Sequence, residues 1–150
     1  MKVEFLLNGR NRIFDVSPDE YLLETLRNHY VTSVRNGCNE STCGVCTVLL
    51  DGKPVLSCTV LTVRIEGQHV TTVEGIQNEV SHISDFFGDE GADQCGFCNS
   101  GLALTIYALK NEYKNPTEAD IKNYIVGNLC RCSGYQAQLK AIKRYLEDNK

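Results

Sequence analysis

A chain of 150 residues with 42% apolar residues, 15 Lys and Arg against 19 Asp and Glu, and a net charge of -4 can bury a core as one domain or two small ones. It has no run of 18 apolar residues, which excludes a membrane-spanning helix, and its scattered basic residues argue against a nucleic-acid partner. The opening MKVEFLLNGRNR breaks its apolar run at Asn8 and Arg10, too early for a secretory signal, so the expected location is cytoplasmic.

In chain order, Val3, Phe5 and Leu7 share one face of a predicted strand, Asn8-Gly9 is a hairpin signal, and residues 12–16 form the returning strand. Ser17-Pro18-Asp19-Glu20 combines a Ser cap, a Pro at the first helical position and a Glu three residues on. The helix this predicts carries Leu22, Leu23, Leu26 and Tyr30 on its inner stripe. Two strands with a helix across them suggest a small mixed sheet grasping one helix.

Four thiols follow, Cys38, Cys43, Cys46 and Cys58, at spacing C-x4-C-x2-C-x11-C, which opens like the plant-type [2Fe-2S] pattern. The loop around the first three is small and polar, able to curl round an inorganic core, with Gly37 and Gly44 expected in left-handed or crowded conformations. Residues 45–50 read as a strand, Asp51-Gly52 as a turn, 54–63 as the returning arm bearing Cys58, and 69–73 as a last strand. A first domain over 1–76 is expected.

The period then changes. Val80, Ile83 and Phe87, then Leu102, Ile106, Leu109 and Tyr113, recur at helical spacing. Thr117 caps a third helix lined by Ile121, Tyr124 and Ile125 and ending at Gly127, and Leu139, Ile142 and Leu146 mark a fourth. A four-helix bundle over 77–150 is expected. Its loops carry Cys95 and Cys98 before the second helix, and Cys130 and Cys132 before the fourth. Helix starts offer free N–H groups and a positive dipole end to anionic thiolates.

From spacing alone, iron–sulfur clusters, zinc and disulfides stay open. Eight cysteines in 150 residues are sparse for a disulfide-stapled scaffold, whereas a C-x-C pair suits zinc as well as iron. His29, His69 and His82 are far apart and show no Rieske spacing, and no G-x-G-x-x-G or P-loop marks a nucleotide site. Gln94 and Arg131, flanking the second set of sulfurs, read on their own as ordinary surface residues.

Gly37-Cys38, Cys43-Gly44-Val45-Cys46, Gln94-Cys95-Gly96-Phe97-Cys98 and Gly127-Asn128-Leu129-Cys130-Arg131-Cys132-Ser133-Gly134-Tyr135 together resemble the small iron–sulfur subunit of the molybdenum hydroxylases, the xanthine dehydrogenase and aldehyde oxidoreductase family. The resemblance covers nearly the whole chain and implies an α+β fold, a plant-ferredoxin-like β-grasp domain followed by a four-helix bundle. It implies one [2Fe-2S] cluster on Cys38, Cys43, Cys46 and Cys58 and a second on Cys95, Cys98, Cys130 and Cys132.

It further implies a large molybdopterin-binding catalytic subunit and a medium FAD-binding subunit as partners. Gln94 and Cys132 would contact the pterin, and electrons would pass from molybdenum through the bundle cluster and the ferredoxin-like cluster to FAD. Such a chain does no substrate chemistry alone; the assembly would hydroxylate an N-heterocycle, purine or nicotinate-like, or an aldehyde. The alternatives are a zinc-stabilised interaction module and a free-standing ferredoxin-like carrier. Two stretches depart from the family's pattern: Asn99-Ser100 stands where Thr-Pro is common, suggesting a looser helix start, and Asn39-Glu40-Ser41-Thr42 replaces a more glycine-rich loop.

Overall fold

The computed structural model describes residues 1–148. Strand β1 (Lys2–Leu7) pairs antiparallel with β2 (Arg10–Asp15) across Asn8-Gly9, whose φ values of 51° and 75° are the left-handed pair that a two-residue hairpin needs. Asp51-Gly52, at 49° and 81°, turns β3 (Thr47–Leu50) into β4 (Lys53–Leu56) in the same way. Strand β5 (His69–Thr71) lies parallel to β1 and antiparallel to β3, which completes a sheet of order β2-β1-β5-β3-β4. Val3, Phe5, Phe14, Val48 and Val70 from the strands close a core with Leu22, Leu23 and Leu26 of helix α1 (Leu22–Asn28).

Several local readings are corrected. Ser17-Pro18-Asp19-Glu20 closes a turn rather than starting the helix, with the Glu20 N–H donating to Ser17 O at 3.1 Å. Tyr21 is held extended, bridged to Leu61, because Thr62 N–H donates to Glu20 O (2.9 Å) and Leu22 N–H to Val60 O (2.8 Å). The helix therefore starts at Leu22, where the Glu24 carboxylate accepts the Tyr21 N–H at 3.2 Å, and Tyr30 lies beyond its end, 92% exposed with φ 66°.

The arm after β4 is also not a continuous strand. Ser57 N–H and Oγ both donate to Cys46 O (3.2 and 2.8 Å), which bends residues Ser57–Thr59 into a 3-10 turn carrying Cys58. The last strand stops at Thr71 because the next N–H, that of Thr72, is taken by Asn8 Oδ1 at 2.8 Å.

Helices α2 (Gln77–Asp89), α3 (Asn99–Glu112), α4 (Glu118–Ile125) and α5 (Gln136–Asp148) form the expected bundle around Ile83, Phe87, Leu102, Ile106, Leu109, Ile121, Leu139, Ile142 and Tyr145. Thr117 caps α4 as expected: Asp120 N–H donates to its Oγ1 (3.2 Å), and the Asp120 carboxylate accepts the Thr117 N–H (2.8 Å). Gly127 is not a left-handed cap, because the turn continues through Asn128 N–H to Ile125 O at 2.9 Å. On α5, Leu139 and Ile142 are buried and Leu146 is partly buried against the same core; Tyr145 is fully buried as well, and its hydroxyl donates to Glu79 Oε2 at 2.7 Å.

Helix α3 is buried on both sides. Leu102, Ile106 and Leu109 face the bundle, while Leu104 and Ala108 pack on Leu49 of the sheet. A helix apolar all round belongs between two layers, and this one joins the two halves of the chain. Ser100 Oγ ties its start to Ser33 O at 2.7 Å, so the helix start that lacks Pro is anchored by a cross-domain bond instead.

Candidate functional site

The first thiol quartet is built on the loop between α1 and β3 and on the 3-10 turn after β4. Asn39 and Ser41 hold φ values of 54° and 59° and Gly44 one of 74°, so two non-glycine residues supply left-handed bends that glycine adopts more readily. Gly37 is not left-handed but crowded, since a Cβ there would lie 2.8 Å from Val45 Cγ2 and 3.0 Å from Cys43 Sγ. The bends aim backbone N–H groups at sulfur: that of Glu40 lies 3.4 Å from Cys38 Sγ, and with Thr42 it lowers the Cys38 thiol to about 6. Burial pushes Cys43 up, and Cys46 to about 11. Cys38 and Cys43 touch each other, and Cys46 Sγ lies 3.5 Å from Cys58 Sγ.

The second quartet joins the loop before α3 to the loop between α4 and α5. Cys98 is the residue preceding the first turn of α3, but Cys132 stands ahead of α5, separated from it by a left-handed bend at Gly134 and Tyr135 (φ 65° and 70°). Only the first of these pairs therefore sits at a helix start. Burial pushes the Cys98 thiol up to about 12. Burial would also raise Cys130, but the Ser133 hydroxyl and N–H, 3.3 and 3.4 Å from its sulfur, bring it down to about 7. The Phe97 N–H lowers Cys95, and sharing a hydrogen bond with Cys95 raises Cys132. Cys95 Sγ and Cys132 Sγ are 3.5 Å apart, and Cys98 touches Cys130.

Each quartet thus consists of two sulfur pairs. Four thiolates around one zinc all lie about 3.8 Å apart, because each Zn–S bond is about 2.3 Å. Among the described residues, no three ligating side chains converge on a single ion position in that way. Two irons with two thiolates each match this pairing, so the donor set fits a [2Fe-2S] cluster in each quartet. All eight cysteines are free thiols, which leaves no disulfide staple in the fold.

The quartets meet across the domain boundary. Leu129 N–H, one residue before Cys130, donates to the Cys43 carbonyl at 2.9 Å, and Asn128 Nδ2 donates to Gly44 O at 3.3 Å. Arg35 lies over the Phe97 ring at 5.6 Å, linking the two cysteine loops again. Gln94 and Arg131 are exposed, as is Cys132, and among the described residues no hydrogen bond holds Gln94. Sequence reasoning missed Ser133 and Gln138, whose Nε2 lies 3.9 Å from Cys98 Sγ. The available signal for Gln138 was an amide at a position adjoining the apolar stripe of Leu139 and Ile142.

Two family profiles cover the chain: one described as a 2Fe-2S iron–sulfur cluster binding domain matches residues 5–72, and one described as a [2Fe-2S] binding domain matches residues 72–143. The nicotinate dehydrogenase small FeS subunit of Eubacterium barkeri is 39% identical over 142 residues, which span 93% of this chain and 90% of that one. The crystal structure of quinoline 2-oxidoreductase from Pseudomonas putida 86 superimposes with a TM-score of 0.89 at 35% identity, covering 99% of this chain and 94% of that chain. The aldehyde oxidoreductase of Desulfovibrio desulfuricans ATCC 27774 matches with a TM-score of 0.92 at 34% identity over 99% of this chain, which corresponds to 17% of a much longer polypeptide.

Proposed function

The chain belongs to the family of small iron–sulfur subunits of the molybdenum hydroxylases, the xanthine dehydrogenase and aldehyde oxidoreductase family, and from that premise we propose that it relays electrons through two [2Fe-2S] clusters between a molybdopterin-binding partner and an FAD-binding partner. The observation that carries the proposal is the pairing of eight thiols into two quartets bridged by the Cys43–Leu129 hydrogen bond. Cys38 and Cys43 would hold one iron and Cys46 and Cys58 the other; in the bundle the pairs are Cys95 with Cys132 and Cys98 with Cys130. The division between the two domains falls, in this reading, at residues 76 and 77.

A [2Fe-2S] cluster, when bound, takes up and returns one electron at a time. The chain's own residues hold and shield it. Glu40 N–H, Ser133 N–H and Ser133 Oγ donate to the sulfurs and stabilise their negative charge. The backbone from Cys43 to Leu129 and Cys130 forms a short bonded connection between the quartets.

Exposed Cys132 and Gln94 face outward, and in this reading they meet the pterin of the large partner. The substrate binds in that partner; relatives named for nicotinate, quinoline and aldehyde favour an N-heterocycle or an aldehyde.

Elemental analysis of the purified chain is the direct test. Four irons and four acid-labile sulfides per polypeptide, with two distinguishable spin-resonance signals on reduction, are expected; zinc without sulfide would overturn the proposal. Gln94→Ala is expected to leave iron content unchanged and to weaken association with the molybdopterin partner about tenfold, the cost of one lost polar contact at an interface. Sedimentation or pull-down titration reads the affinity, and a fall in iron instead would reassign Gln94 to cluster support.

A further inference from the structure

Three polar side chains are buried where the bundle meets the cysteine loops and the sheet. Thr105 Oγ1 donates to Gly101 O of its own helix and Asn128 Nδ2 to Gly44 O, each to a backbone carbonyl. Gln138 differs. It is 1% exposed, on the face of α5 that also buries Leu139, Ala141 and Ile142, and its amide nitrogen is directed at the Cys98 sulfur, 3.9 Å away. A buried amide costs stability unless its N–H groups are bonded, and Leu or Met would fill the same volume without that cost. The Cys98 sulfur is therefore the group that gives this amide a reason to be in the core.

We propose that Gln138 is a positioning residue that raises the reduction potential of the bundle cluster by donating an amide hydrogen bond to the Cys98 thiolate. The inference rests on the proposed assignment of Cys95, Cys98, Cys130 and Cys132 as ligands. One-electron reduction adds negative charge that the ligating sulfurs share, so an N–H donor aimed at one of them stabilises the reduced form more than the oxidised form. Gln138 acts on the same iron's pair as Ser133, which donates twice to Cys130, whereas the other pair, Cys95 and Cys132, is exposed. The consequence is directional: a higher potential in the bundle favours entry of the electron from the molybdopterin side.

The test uses Gln138→Leu and Gln138→Met in the full chain as purified, followed by spin-resonance potentiometry. Both variants are expected to keep four irons and both signals. The signal that belongs to the bundle, identified as the one Cys132→Ser removes, should become about threefold to tenfold harder to reduce, about 30 to 59 mV for one electron. The other signal should not move. Unchanged potentials in both variants would overturn the proposal, as would loss of the bundle cluster from both, which would make Gln138 a retention residue. Failure of the underlying ligand assignment shows separately, as a wild-type chain without four irons or without a second signal.

Discussion

Cys132→Ser is expected to abolish one of the two spin-resonance signals, to cut iron from four atoms per chain to about two, and to slow electron delivery from the catalytic partner by more than about a hundredfold. Cys132 is exposed and lies 3.5 Å from Cys95, with no core packing of its own, so its loss should leave the fold standing. A serine hydroxyl is a poor replacement for a thiolate because iron–sulfur clusters select soft, fully deprotonated sulfur. The first quartet is built on a different loop and on the turn after β4, so its signal should keep its line shape and intensity. Two unaltered signals in this variant would show that Cys132 is not a ligand.

Gly101→Ala is expected to destabilise the chain by about 2 kcal/mol, although helix propensity alone predicts a gain of about 1 kcal/mol from removing a glycine in a helix interior. The decision lies in the contact. A Cβ on Gly101 would fall 2.4 Å from Gly44 O and 3.1 Å from Val45 Cα, and both obstacles are backbone, which cannot rotate away as a side chain can. Gly44 has no room either, since its own Cβ would lie 2.2 Å from Gly127 O and its φ is 74°. Relief therefore requires α3 to move off the cysteine loop, which strains the Ser100–Ser33 bond at its start. Thermal unfolding of the variant should show a midpoint lower by about 4 to 8 °C. A raised midpoint would mean that the two halves are not packed through this approach.

What could be read from the residues in advance was whatever a short stretch decides by itself. Asn8-Gly9 and Asp51-Gly52 make hairpins because Asn and Asp tolerate left-handed φ and Gly, without a Cβ, adopts it freely, and Thr117 with Asp120 caps α4 within one turn. The cysteine spacings marked the two thiol-bearing loop regions, and the helical and strand periods separated bundle from sheet. Signals that depended on a distant partner misled. Ser17 to Glu20 looks like a helix start, yet the 60–62 segment claims the backbone groups of Glu20 and Leu22 and delays the helix by a turn. Tyr30 fits the stripe, but the helix stops before reaching it.

By itself the sequence determined the two sets of thiols and the order of strands and helices, because turn chemistry and hydrophobic period are local properties, while the class of cluster followed only from the family resemblance of the whole motif set. Only the tertiary structure decided which sulfurs form pairs, how α3 is clasped between sheet and bundle, and that Gln138 reaches Cys98 from a helix begun long after it. The physical reason is that pairing, close approach and burial depend on chain segments that meet only once the apolar faces of both halves have closed.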